Sequence, residues 1–459
     1  MKYFWIAAAA VIGIVVGRLP LSPGLSGAGQ LVLAIIAFTA TLWAAQPVSN
    51  AIASIVMMAL LIAAKVPATL VFSGFSGGPF WVLLTVLFYG FAMKKTGLAE
   101  RIAYYILSLF PGTYPGILAA FGVIGGILSL GIPSMTVRTA IMVPVAWTLV
   151  QSLELPFHSK GSALIILTTV EMAVVPGIGS LYGALSGPVV VAAFQAKHVA
   201  LTWLDYFQVI GPPTILLCLL ILIANQLVLR PEKALDASRS FARERLQKLG
   251  AFKRDELITA AVVLVSIVYW TTDRYHHLPS FLVGMVALAV FAVTGILSDQ
   301  EMAAGVSWPL LLFVGGVFGL ANIIQEYKIA DWLAAFVVPL AGQLTASILV
   351  LCFVVALAMF VLRFIDPSSF IAISVLFLAI VDVTTAAQIP PLVLMAAVLL
   401  ASVPFWLPYQ NFWLAMGDGL TSSQAFTARQ RLLLATTYAI CVLAALAIST
   451  IYWKLAGIS

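Results

Sequence analysis

The sequence predicts an all-α polytopic membrane protein of about 11 transmembrane helices at about 20 residues per span. It arranges them as two inverted repeats, each with a re-entrant hairpin and a broken helix. Three observations carry this reading. Hydrophobic residues make up 63% of the 459 positions and charged residues 9%, far too little polar surface for a water-soluble chain of this size. The apolar residues run in long charge-free blocks such as 432–452, whereas a transmembrane β-barrel alternates in short segments. Finally, prolines and glycines crowd two strongly apolar regions at matching places in the two halves of the chain.

In order, apolar runs at 3–17, 29–45, 51–64 and 80–93 read as spans. The first lacks a distinct cleavage region and many spans follow it, so it reads as a retained helix, not a signal peptide. An amphipathic piece at 100–110 comes next. Region 114–147 then holds Pro115, Gly116, Gly122, Gly125, Gly126, Gly131, Pro133 and Pro144. Such backbone is tolerated at membrane depth only where protein buries it or where it lines a cavity. The region therefore predicts a re-entrant hairpin with its tip at Ile132-Pro133-Ser134-Met135-Thr136. A span at 163–175 breaks at Pro176-Gly177-Ile178-Gly179-Ser180 and continues to 194, and another covers 213–229. Past a basic stretch the order returns: spans at 257–271, 280–297 and 308–324, an amphipathic piece at 329–338, and a breaker-containing block at 347–385. Its tip is Ile365-Asp366-Pro367-Ser368-Ser369. A broken helix at 391–416, interrupted at Pro404 and Pro408, and a last span at 432–453 complete the chain.

The helices beginning at Trp81 and Trp308 lie 227 positions apart, and the tip prolines Pro133 and Pro367 lie 234 apart. An internal repeat explains both offsets, and an odd number of intervening spans inverts one half in the membrane. The chain then divides into N-terminal scaffold spans (1–79), a first repeat with hairpin and broken helix (80–230), a basic linker (231–256) and a second repeat with the C-terminal span (257–459).

Net charge is +6, and its placement matters more than its size. Eight basic residues between Arg230 and Arg254 face three acids, a pattern that puts this loop on the cytoplasmic side. About 25 residues between two spans cannot form a nucleic-acid-binding domain with stacking aromatics. Cys218, Cys352 and Cys441 lie in apolar runs without metal or redox spacing, the four histidines are scattered, and no phosphate-binding loop is present.

At each tip the second arm begins as a helix N-terminus with unsatisfied amides and partial positive charge. Ser134, Thr136, Ser368 and Ser369 add hydroxyls, so two opposed tips would cradle an anion near mid-membrane; ordinary capping by the same residues is the alternative. Ionised side chains are costly at membrane depth, which singles out Arg138 and Glu171. Arg138, just past the first tip, either binds an anion or simply snorkels or pairs with an acid. Glu171 is either its partner or a protonatable coupling group. Arg363 and Asp366 are spaced to neutralise one another, and Asp382 is ambiguous between a helix end and a cavity.

These residues resemble the divalent anion:sodium symporter family of the wider ion transporter superfamily, over nearly the whole chain. Ser134-Met135-Thr136 looks like the first Ser-Asn-Thr hairpin motif, and Gly177-Ile178-Gly179-Ser180 resembles the broken-helix loop beside it. Leu407-Pro408-Tyr409-Gln410-Asn411 is similar to the loop of the second repeat, and 249–256 resembles the run into that repeat. The resemblance implies that Ser134, Met135, Thr136, Ser368 and Ser369 help hold the carboxylates of a di- or tricarboxylate or sulfate. It implies that Gly179, Ser180 and Pro408 belong to loops lining cation sites, with sodium as coupling ion and no other cofactor. It also implies a homodimer in the cell membrane, a bacterial inner membrane, moving substrate by rigid-body travel of a hairpin-bearing unit against a scaffold. Two departures stand out. Met135 replaces the motif asparagine, and the second tip reads Pro367-Ser368-Ser369-Phe370. A thioether is a poor ligand for a hard cation, so proton coupling through Glu171, or anion exchange, stands beside sodium coupling.

Two other classes compete. An intramembrane aspartyl protease would use two of Asp366, Asp382 and Asp418, with Ala415-Met416-Gly417-Asp418 approaching its signature. A channel would need a filter or charged ring, and none is evident.

Overall fold

The computed structural model describes residues 2–19, 24–196, 199–231, 235, 240–329, 332, 347–364, 384, 389–407 and 410–458. Among these the only regular elements are helices.

Helices α1 (Lys2–Arg18), α2 (Gly27–Ala45) and α3 (Asn50–Ala63) form one packed group. The group extends through the short α4 (Ala68–Val71) and α5 (Ser73–Ser76) onto α18 (Trp308–Glu326). Gly74 makes the last contact possible, because a Cβ there would lie 2.0 Å from Gly315 O. Small residues at such crossings let helices pack closely where lipid supplies no hydrophobic drive. Helix α6 (Gly78–Thr96) turns by 69° at Gly97 into the amphipathic α7 (Leu98–Leu109). Gly97 has φ +85°, a conformation glycine takes without strain.

Helices α8 (Tyr114–Gly131) and α9 (Met135–Ser152) form the expected first hairpin. Its turn is enclosed, with Ile132 fully buried and Ser134 nearly so. Against both arms packs α10 (Lys160–Val174), every residue of which after Lys160 is buried. A tight turn over Val175–Gly179 breaks it, and α11 (Ser186–Ala196) follows.

Helix α12 (Trp203–Val228) starts ten residues before the expected 213. Thr202 and Asp205 cap it reciprocally, and Trp203 N donates to Asp273 Oδ2 at 2.8 Å. Pro212 and Pro213 therefore fall inside a helix whose true start is set by its cap. The linker contains a helix the sequence reading did not anticipate, α13 (Ser240–Leu249), packed on α7. Arg101 of α7 donates to the carbonyls of Leu249, Gly250 and Ala251 and pairs with Glu256 at 3.0 Å.

The second half contains α14 (Arg254–Thr271), α15 (Asp273–His276), α16 (Ser280–Val293), α17 (Asp299–Ala304) and α18. Then come α19 (Ile348–Leu362), α20 (Pro391–Leu400), α21 (Phe412–Leu420) and α22 (Ala428–Leu455). The break between α20 and α21 matches the expected interruption. The second tip at 365–369, most of the amphipathic piece at 329–338, and Asp382 lie outside the described residues.

Among the described residues, six helices are long and apolar enough to cross a membrane unaided, or seven if the bent α6–α7 pair is one span. The expected number of about 11 also counts shorter apolar helices such as Asn50–Ala63, Ser280–Val293 and Ile348–Leu362.

Candidate functional site

The first tip opens into a cavity of about 500 Å³. Ser134, Met135, Thr136 and Val137 form one wall, and Leu185 and Ser186 at the start of α11 adjoin it. Gly305, Val306, Ser307 and Leu310, leading into α18, form the opposite wall. Arg363, Ser402, Val403 and Asn411 to Trp413 close it from the second broken helix. The sequence-predicted Ser134, Met135 and Thr136 thus converge with residues of the other half. Ser368, Ser369 and Pro408 lie outside the described residues.

The chemistry of this space follows from its backbone. Ser134 caps α9, its Oγ accepting from Val137 N at 3.3 Å. The amides of Met135 and Thr136, in the first turn, have no acceptor within their helix. Helices α18 and α21 also begin at the cavity, behind Ser307 and Asn411. With α11, whose first residue Ser186 also lines the cavity, four helix N-termini therefore give a positive potential, and Arg363 is the one charged side chain among the described lining residues. Arg363 is 1% exposed; its Nη2 donates to Gln410 O and, at 3.0 Å, to Asn411 Oδ1. The expected Arg363–Asp366 pairing falls outside the described residues. The site has room for a small anion of several heavy atoms and donors to hold it.

Two broken helices lie in the sequence next to the lining residues, and side chains satisfy the backbone of each. In the first, Arg138 donates to Ala173 O (2.5 Å), Val174 O (3.3 Å), Gly183 O (2.6 Å) and Ile132 O (2.5 Å). Tyr206 Oη donates to Ile178 O at 2.8 Å. In the second, Arg363 holds Gln410 O, Asn411 Nδ2 donates to Pro404 O, and Tyr438 Oη donates to Leu400 O. Loop backbone at membrane depth needs partners of this kind. Arg138, expected to reach substrate or an acid, is fully buried and turned wholly to carbonyls. Four charge-assisted bonds offset its desolvation, a cost on the order of 2.5–3.5 kcal/mol on insertion scales.

Glu171 does not pair with Arg138. It is 2% exposed, and its Oε2 accepts from Asn225 Nδ2 at 2.5 Å while Oε1 has no partner among the described residues. Asn225 Nδ2 also donates to Thr168 Oγ1 at 3.0 Å. Gly179 and Ser180 line a different, apolar cavity of about 400 Å³ with Thr214 and Cys218, behind the broken segment.

The sequence reading missed Arg363, Ser402, Ser186 and Ser307 as lining residues, and Asn225 as the partner of Glu171. The amide in an otherwise apolar run was the available signal for Asn225.

Lys95 at the end of α6 pairs with Glu301 and donates to Ile296 O at 2.9 Å. Arg101, six residues on, holds the end of the basic linker. Ser307 is exposed, and the wall at 305–310 lies close in sequence to Glu301, the partner of Lys95.

A helical membrane protein whose broken helices meet at a donor-lined cavity has the architecture of a secondary transporter. Residues 2–458 match the family described as the sodium:sulfate symporter transmembrane region, and the chain belongs to that family. It is 25% identical over 408 residues to the spinach (Spinacia oleracea) chloroplastic dicarboxylate transporter 1, covering 86% of this chain and 70% of that protein. It is 24% identical over 415 residues to the sodium-dependent dicarboxylate transporter SdcS of Staphylococcus saprophyticus, covering 84% and 79%. Among solved structures, the Alcanivorax borkumensis YdaH transporter shares the fold, with a TM-score of 0.59 at 14% identity over 99% of this chain and 98% of that one. A transporter family, not an enzyme family, accounts for the chain, and the peptidase reading has no support.

Proposed function

We propose that this chain is a secondary transporter of small divalent anions, dicarboxylates foremost. One observation carries the reading: the open amides and hydroxyls of Ser134 to Thr136 share a cavity with Arg363 of the other half. The names of the spinach and staphylococcal relatives support the substrate class. In the proposal Ser368 and Ser369 complete the cradle from the second tip, and the hairpin-bearing unit travels against the scaffold of α1–α5 and α18.

The two-repeat organisation, 80–230 and 257–459, is part of the proposal. Paired devices support it: Arg138 with Arg363, and Tyr206 with Tyr438, each binding a carbonyl of the broken helix in its own half. A homodimer in a bacterial inner membrane rests on the family resemblance alone. Sodium as the coupling ion is supported by the family's description and by the name of the staphylococcal relative. A second reading, proton coupling, is favoured by Glu171, a buried carboxyl facing an amide instead of a cation.

In proteoliposomes, labelled succinate, citrate or sulfate is expected to enter against its gradient when a sodium or proton gradient is imposed. Ser134→Ala removes one hydroxyl donor to a charged ligand, about 1.5–3 kcal/mol, and should raise KM roughly tenfold or more. Absence of flux for all three anions would reject the function, and an unchanged KM would remove Ser134 from the site.

A further inference from the structure

The first broken helix draws four backbone carbonyls from three separate segments onto one positive charge. Ile132 O belongs to the hairpin tip, Ala173 O and Val174 O to the end of α10, and Gly183 O to the chain beyond the turn. Arg138 meets them at 2.5, 2.5, 3.3 and 2.6 Å. Neutral oxygens gathered from unwound helix are the donor set that transporters offer to a small hard cation. Here the set is already taken. A Cβ on Gly177 would lie 2.2 Å from Gly183 O and 2.4 Å from Arg138 Nη2, so the cradle closes on the guanidinium without spare room. Met135, whose thioether suits a hard cation poorly, stands at the tip beside it. No described carboxylate pairs with Arg138, and Glu171 on α10 is turned to Asn225. The guanidinium thus has the surroundings of a bound ion, not of a salt bridge, and sodium does not fit among these groups while it is present.

We propose that Arg138 is the resident cation of the first broken-helix loop, holding the carbonyls of Ile132, Ala173, Val174 and Gly183 in place of sodium. The proposal rests on the reading of the chain as an anion transporter of this family and deepens it: this half orders its anion-binding tip with no exchangeable ion. Arg138 is a positioning residue. It fixes the chain on both sides of Ser134 and keeps a positive charge one helical turn below the cap, while never entering the cavity.

The test uses purified full-length protein in detergent, melted in sodium chloride, in choline chloride, and in choline chloride with guanidinium chloride far below denaturing concentrations. Arg138→Ala empties the cradle, Arg138→Met fills it without charge, and Arg138→Lys keeps a charge with fewer donors. R138A is expected to melt lower than wild type and to regain stability from sodium or guanidinium to an extent wild type does not show, because a ligand bound only by the folded state raises its melting temperature. R138K should retain more of the wild-type melting temperature than R138M. Wild-type melting by R138M, or an R138A that gains nothing extra from either cation, overturns the proposal. If R138A yields no folded protein, the order of Lys and Met decides alone: Met equal to or above Lys refutes it. Melting requires no substrate, so failure of every anion to be transported leaves this test intact. Conversely, transport by wild type without cation rescue of R138A removes this proposal and spares the function.

Discussion

Replacing Gly125 and Gly126 by alanine, one at a time, separates close helix packing from helix preference at adjacent positions of α8. Each substitution gains about 1 kcal/mol of intrinsic helix propensity. A Cβ at position 125, however, would lie 1.9 Å from Met172 O and 2.8 Å from its carbonyl carbon, whereas at 126 nothing stands within 4 Å. Ordinary contact begins at 3.4 Å, so α8 and α10 must part by about 1.5 Å to admit one methyl group, a strain of the overpacking kind. Neither partner can give way by rotating a side chain, because the obstacle is the backbone of a helix buried at every position after Lys160. Overpacking at the upper end of its usual range, about 3 kcal/mol, leaves Gly125→Ala about 2 kcal/mol less stable after the propensity gain. Gly126→Ala should be up to about 1 kcal/mol more stable. The gap of about 3 kcal/mol corresponds to roughly a hundredfold difference in the folding equilibrium. Denaturant or thermal unfolding of both variants in one detergent reads it directly. Uptake should fall in G125A as well, since Met172 adjoins the Ala173 and Val174 carbonyls that Arg138 holds. Two variants that melt together and transport alike would refute the packing argument.

Two further outcomes concern ionisable groups. Lys95, then the amide and hydroxyl of Ser298, hold the Glu301 carboxyl down at about 2. A depressed acid stabilises the fold above its unfolded pKa and loses that contribution as pH falls through its folded one. The melting difference between wild type and Glu301→Gln should therefore be constant near neutrality and vanish between about pH 4.5 and 2; a difference that grows on acidification contradicts the pairing. Glu171→Gln should flatten the pH dependence of anion uptake, the signature of a carboxyl that takes up and releases a proton. An unaltered profile, with folding intact, assigns Glu171 to packing.

The spans were readable because lipid leaves only hydrophobicity and punctuation to specify them, and the first tip because Pro133-Ser134 marks a helix start inside an apolar block. Where a polar cap competes with the apolar pattern, the reading slipped: α12 begins at the Thr202–Asp205 cap, not at Pro213, because a membrane helix with packed neighbours tolerates internal proline. Helix α13 escaped notice because its charged face outweighs the apolar residues, Phe241 among them, that dock it on α7. Arg138 illustrates the deeper limit. A buried arginine announces that something must satisfy it, and an anion or an acid is the natural first answer from a sequence. Three of its four partners are carbonyls of residues 35, 36 and 45 positions away, and every residue has a carbonyl. Only the fold reveals which ones have been left open. The same holds for Asn225, whose amide meets Glu171 across 54 positions.

A charge bolted to the main chain differs from a dissolved one in a single thermodynamic respect: its abundance is one per molecule, whatever the salt outside. It cannot be diluted, concentrated or harvested as a battery. The clamp at the first loop is thus always on, in the loaded carrier and the empty one alike, and any uphill work must be drawn from a partner that can leave.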